Sequence, residues 1–152
     1  MQNRRQMIQH SAIVAGLLAA ALPLTAGAQA AFNRAAFDAK TMDELLKALA
    51  LSKPVESREV TLTGPDIAEN GAVVPVAVAS TAAGVKRLLL LVEKNPSILA
   101  GAFEVSDAVE PNMATRVKMG QTSNVYAVAI TADNKVLFAQ KEVKVTLGGC
   151  GG

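Results

Sequence analysis

The sequence predicts a mainly β protein: an antiparallel β-sandwich with a short helix before it and a glycine-rich arm after it. Three observations predict this. Beyond Glu56, short apolar and β-branched runs recur with turn signals between them, as in sandwiches. The one stretch ahead of them with helical spacing is Thr41 to Leu51. Apolar residues make up 51% of the chain and charged residues 18%, enough to close a core, and 152 residues is the size of one domain.

Taken in order, Thr41-Met42-Asp43-Glu44 is a capping box, with Thr41 as N-cap and Glu44 at the third helical position. Leu45, Leu46 and Leu49 then fall on one face, which predicts a helix over about 42–51 that ends near Ser52-Lys53-Pro54. Asp43 and Glu44 near its start and Lys47 near its end suit the helix dipole. Arg58, Val60 and Leu62 alternate with Glu59, Thr61 and Thr63, a strand that stops at the turn Gly64-Pro65-Asp66. Asn70-Gly71 marks a turn before the strand Ala72 to Ala79, in which Pro75 has no N–H to donate and so predicts an edge or a bulge. Val85 to Val92 is apolar enough to be buried on both faces, and Asn95-Pro96 ends it. Ile98 to Val105, Ala114 to Met119 and Val125 to Thr131 continue the series, and Asp133-Asn134 turns the chain into a last strand, Lys135 to Leu147. There Val143, Val145 and Leu147 are expected on one face, Lys144 and Thr146 on the other. That makes six or seven strands, with no internal repeat.

The amino terminus reads as an export signal occupying 1–28. Arg4 and Arg5 are the only charges before Arg34, and they precede an apolar run, Ala12 to Leu22, closed by Pro23 and the small-x-small site Ala26-Gly27-Ala28. The run is about half the length of a membrane span, so no membrane insertion is expected. Asn3-Arg4-Arg5-Gln6-Met7-Ile8 has the form of a twin-arginine signal, with Met7 its soft position, and that form is preferred to a general secretory leader. Cleavage is expected after Ala28, with Ala30 as the alternative. Removing 28 of 152 residues leaves 124, with 13 basic and 13 acidic residues and no net charge.

That subtraction excludes most chemistry. His10, the only histidine, leaves with the leader, and the mature chain keeps one cysteine, Cys150. Serine and cysteine nucleophiles are usually activated by histidine, and zinc and copper sites usually need imidazole or several thiolates. Aromatics are 3%, with Tyr126 the only tyrosine and no tryptophan, so the stacking platforms of nucleic-acid binders are missing. Met113 and Met119 are a conceivable soft copper pair, but without histidine they read as packing. Asp66, Glu69, Asp107 and Glu110 are scattered turn carboxylates whose spacing fits no calcium loop. No cofactor and no metal site is expected.

The informative segment is the end, where Val143-Lys144-Val145-Thr146-Leu147 runs into Gly148-Gly149-Cys150-Gly151-Gly152. Four glycines around a lone thiol predict a flexible arm over 148–152, narrow enough to pass down a channel and about 17 Å long when extended. A lone cysteine in an exported chain pairs between molecules or stays a reactive thiol. Only two residues follow Cys150, which excludes prenylation. With no cation or helix beside it in the sequence, the thiol is expected to be only about 3% ionised at pH 7.

The Gly148-to-Gly152 pentapeptide at the extreme terminus, the strand residues before it and the twin-arginine-like leader closely resemble the SoxY family, sulfur carriers of bacterial thiosulfate oxidation. More loosely, the capped helix, the strand series and Asn70-Gly71-Ala72-Val73-Val74-Pro75-Val76 look like that family too. The resemblance implies an immunoglobulin-like sandwich in the periplasm, paired with SoxZ, a second small β protein without its own export signal. It implies that the cysteine matching Cys150 carries the intermediates covalently. On this pattern the haem protein SoxXA joins thiosulfate to the thiol oxidatively and SoxB removes sulfate hydrolytically. A sulfane dehydrogenase acts in members that have one. Two other readings stay open: a thiol enzyme, which would need a base or a resolving cysteine that the sequence lacks, and a structural periplasmic β-sandwich module with an incidental tail. An edge near Pro75 or beside the last strand is the expected place for SoxZ.

Overall fold

The protein is described by a computed structural model, in which residues 33–148 can be described. The leader with Arg4 and Arg5, and the arm residues Gly149, Cys150, Gly151 and Gly152, lie outside the described residues.

Among the described residues two sheets pack face to face, built from nine strands: β1 (Val55–Glu56), β2 (Val60–Thr63), β3 (Ile67–Ala68), β4 (Val74–Ser80), β5 (Val85–Val92), β6 (Leu99–Glu104), β7 (Asn112–Val117), β8 (Ser123–Thr131) and β9 (Val136–Val145). The smaller sheet has the order β2-β4-β7. The larger runs β1-β9-β8-β5-β6, with β3 also on β9. Leaving out the two-residue β1 and β3, this is a seven-stranded sandwich of immunoglobulin-like design, with β6 in the sheet of β5, β8 and β9.

Strand patterning explains why the sheets meet. Val74, Val76 and Val78 point inward from β4, and Leu88, Leu90 and Val92 from β5, to close on Val125, Ala127, Ala129 and Val143. Alternate residues of the large sheet, Leu89, Leu91, Val128 and Ile130, face the other way into a second apolar cluster. From Leu88 to Val92 β5 is thus buried on both faces, as that apolar run predicts, while Lys86 is exposed and Arg87 half-buried. The cover on that second face is helical, α1 (Arg34–Asp38) and α2 (Met42–Ala48), and Leu45 at its centre is fully buried. The helix α1, capped by the Asn33 side chain accepting from the Ala36 N–H, has no counterpart in the sequence reading.

Four expectations are corrected. The helix expected over 42–51 ends at Ala48. Its Thr41 cap forms as expected, accepting from the Glu44 N–H at 3.2 Å, but the Glu44 carboxylate reaches back to the Lys40 N–H at 2.8 Å, one residue earlier than a capping box requires. The helix stops because Ala50 turns left-handed (φ 52°), with its N–H donating to Lys47 and that of Leu51 to Leu46 at 3.1 and 2.9 Å. This is a Schellman ending with alanine at the usual glycine position. Second, Pro75 lies in the middle strand of the small sheet. It is tolerated there because β2 pairs only as far as Thr63 opposite Ala77, so only β7 flanks Pro75. Third, pairing is not wholly antiparallel, since β1 and β3 run parallel to β9 and cover its outer edge. They pair only with Leu137–Phe138 and Lys144–Val145 of β9, and the outermost strands of the two sheets are β1, β3 and β6 in the larger and β2 and β7 in the smaller. Fourth, β9 ends at Val145, so Leu147 leaves the inward alternation and is 67% exposed.

Ala50→Gly should stabilise the protein. A left-handed alanine is strained by about 1–2 kcal/mol, partly offset by the freedom glycine adds to the unfolded chain, for a net gain of about 0.5–1 kcal/mol. Urea denaturation reads this as a higher midpoint at unchanged slope. A lower midpoint would mean that the Ala50 methyl supplies packing the backbone argument overlooks.

The root of the terminal arm as candidate functional site

The arm starts from a strand end that is held on both sides. On one side the β3 segment lies along it. The Lys144 N–H donates to the Asp66 carbonyl at 2.9 Å, the Thr146 N–H to the Ala68 carbonyl at 3.1 Å and the Thr146 hydroxyl to the Glu69 carbonyl at 3.1 Å. On the other, the Thr122 hydroxyl accepts from the Val145 N–H at 3.0 Å. Then the turn foreseen at Asn70-Gly71 closes over the end, its Gly71 N–H donating to the Leu147 carbonyl at 2.8 Å while the Gly71 carbonyl accepts from the Met119 N–H at 2.7 Å. Every backbone N–H from Lys144 to Thr146, except the edge position filled by Thr122, thus meets a carbonyl that the fold brings from far along the chain.

Gly148 is the one arm residue among the described residues. A Cβ there would run into the Gly120 carbonyl oxygen, so the position needs glycine for close backbone approach as well as for freedom. The sequence reading counted Gly148 into the arm and assigned it no contact. The ammonium of Lys141 reinforces the clamp from below, bonding the Gly64 carbonyl at 2.6 Å and the Asp66 carboxylate at 2.8 Å. That hydrogen bond and charge hold the Asp66 carboxyl below its ordinary value.

The other candidates resolve into structure. Met119 is fully buried in the sandwich core beneath the root, and Met113 packs against that core, so the two thioethers are packing residues. Asp107 pairs with Lys86, and no group of three histidine, cysteine, aspartate or glutamate side chains among the described residues could hold a metal. Near Pro75, the outer face of the small sheet has an open groove of about 450 Å³ floored by Pro75, Ala77 and Ala114, with Arg116 at its rim. Sequence reasoning missed Gly120 and Thr122. A glycine and a threonine in a loop give no local sign that a strand end will pack on them.

The fold and the site define a class: an immunoglobulin-like β-sandwich with a clamped last strand, in a sequence whose only cysteine follows that strand. The chain matches the family model described as sulfur oxidation protein SoxY over residues 46–150 and belongs to that family. Among solved structures, the sulfur carrier protein SoxY from Chlorobium limicola f thiosulfatophilum is 31% identical, with a TM-score of 0.62, covering 69% of this chain and 94% of that one. Superoxide reductase (neelaredoxin) from Ignicoccus hospitalis is 18% identical with a TM-score of 0.51, covering 57% of this chain and 78% of that one. A putative superoxide reductase from Thermotoga maritima is 12% identical with a TM-score of 0.51, covering 64% of this chain and 96% of its own. At that identity these two likenesses show the fold alone. No curated protein matches the chain.

Gly148→Val should push the strand end off Gly120 and open the bond between Gly71 and Leu147 while leaving the core intact. Hydrogen exchange should show the Gly71 amide losing protection by about tenfold or more, with the core amides of β5 and β8 unchanged. An unchanged Gly71 amide would contradict the contact.

Proposed function

We propose that this chain is a periplasmic carrier that holds sulfur intermediates of thiosulfate oxidation covalently on Cys150 and presents them to partner enzymes. Supporting this are its membership of a sulfur oxidation family and the extent of the family match, which runs to residue 150, the cysteine itself. The solved SoxY from Chlorobium limicola is named a sulfur carrier. The absence of histidine from the mature sequence fits a handle whose catalysis is supplied by others.

The chemistry balances as a cycle. The Cys150 thiolate and thiosulfate form a sulfur–sulfur bond and give up two electrons to a haem-protein oxidant, the role of SoxXA. Water then cleaves the terminal sulfur–sulfonate bond, the role of SoxB: sulfate and protons leave, and a persulfide stays on Cys150. Where a sulfane dehydrogenase exists, it takes six electrons from that outer sulfur while water supplies three oxygens, and a second hydrolysis releases the resulting sulfonate as sulfate and restores the Cys150 thiol. SoxZ is the proposed lasting partner and no cofactor is assigned. Of the open edges, β7 and β2 flank the groove at Pro75 and suit pairing with another β protein. Export by the twin-arginine route through Arg4 and Arg5 would let the chain fold and pair before crossing.

Replacing Cys150 by serine should abolish thiosulfate turnover in the reconstituted system without changing the fold, read by circular dichroism. Turnover that survives would refute the carrier role. Replacing Arg4 and Arg5 together by lysine should trap the precursor inside the cell, because the pathway reads arginine and not charge. Unchanged export would assign the leader to the general secretory route.

A further inference from the structure

Asn70-Gly71 is the one asparagine–glycine pair in the sequence, and it forms the turn that closes over the end of β9. Such a pair is prone to lose the asparagine amide, because the attacking group is the next residue's backbone nitrogen and glycine puts no side chain in its way. The reaction has two requirements: a side-chain carbonyl ready for attack, and a Gly71 nitrogen free to give up its proton.

The turn meets the first requirement. Asn70 is exposed, and its Oδ1 accepts from the Ala72 N–H at 2.9 Å. That N–H polarises the carbonyl and is placed to stabilise the negative charge the oxygen takes up as a nucleophile adds. The clamp withholds the second. Gly71 is buried, its N–H donates to the Leu147 carbonyl at 2.8 Å, and its own carbonyl accepts from the Met119 N–H at 2.7 Å. A hydrogen bond donated by the N–H favours its protonated, unreactive form, and attack would have to pull the nitrogen away from Leu147.

We propose that Asn70 is a deamidation site armed by its own turn and blocked by the clamp, reacting only while the bond between Gly71 and Leu147 is open. In the open state the Gly71 nitrogen loses its proton to hydroxide and bonds to Cγ of Asn70. The side-chain nitrogen takes up a proton and leaves as ammonia, which closes a cyclic imide. Water opens the imide at either carbonyl and leaves aspartate or isoaspartate at position 70, with no oxidant or reductant involved. Isoaspartate places an extra carbon in the backbone just before Gly71 and a new negative charge beside Glu69, so the Gly71 N–H no longer meets the Leu147 carbonyl. The modification thereby fixes the turn open, and the hold on the chain retreats to Thr146, whose N–H still bonds Ala68. The reaction does not depend on what Cys150 carries.

The test incubates the mature chain at mildly alkaline pH and digests it. The peptide holding Asn70 is followed by mass spectrometry for exchange of its amide for a hydroxyl, and by chromatography for the isoaspartate form. The folded chain should deamidate at Asn70 about tenfold or more slowly than the same chain in urea, and Gly148→Val should raise the folded rate about tenfold. Should that variant fold poorly, low urea takes its place: the Asn70 rate and the hydrogen-exchange rate of the Gly71 amide should rise together. After incubation the isoaspartate fraction should show an unprotected Gly71 amide. Asn70→Ser, which keeps an oxygen for the Ala72 N–H, should keep that amide protected. Equal rates in the folded chain and in urea would overturn the proposal. So would a Gly71 amide that opens with no faster reaction at Asn70, or an isoaspartate form in which that amide stays protected.

Discussion

The structure around the arm depends on how the end of β9 is held. A last strand leading into glycines would ordinarily fray, since each N–H it leaves unpaired in a partly buried setting costs about 1–3 kcal/mol and solvent competes for it. Here residues 66–71 and the Thr122 hydroxyl take those groups from opposite sides, and Gly71 links the Leu147 carbonyl to the loop at Met119. Met119 in turn anchors that loop in the core. Order is thereby carried from the sandwich interior to Gly148, the last of the described residues. The same contacts decide the small sheet's geometry, because the turn at Gly64 to Asp66 must leave β2 early to reach β9, and that departure is what frees the flank of Pro75.

Much of this fold is legible in the sequence. The apolar run of β5 and its turn signal place a strand buried on both faces, and Thr41 with Glu44 places the start of α2, because both signals are local. What fails is what depends on distant partners. Pro75 forbids a hydrogen bond on one side, but whether a strand lies on that side is decided by where β2 stops. Ala50 carries no mark of a helix end, since the packing of Leu46 and Leu51 imposes the left-handed turn that glycine would have advertised. The parallel two-residue strands β1 and β3 are too short for any periodicity to reveal.

The candidate site divides in the same way. Cys150 and its glycines stand out by composition alone, which is why the family resemblance settles on them. The root does not, because Gly120, Gly71 and Gly148 meet only after three loops converge. Gly148 illustrates the difference: by composition it is one of four equivalent glycines, and by packing it is the residue where the held chain ends. On the proposed reading this division has a purpose. The sandwich supplies a fixed platform and the remaining residues a short, slender reach, so selectivity falls to the partners.

The most direct measurement is the intact mass of the mature protein after incubation with thiosulfate and the thiosulfate-coupling haem enzyme, taken before and after a thiol reductant. The carrier account predicts a gain equal to one thiosulfate, located on the peptide containing Cys150 and removed by the reductant. An unmodified chain, or an adduct on any other residue while thiosulfate is being consumed, would contradict it.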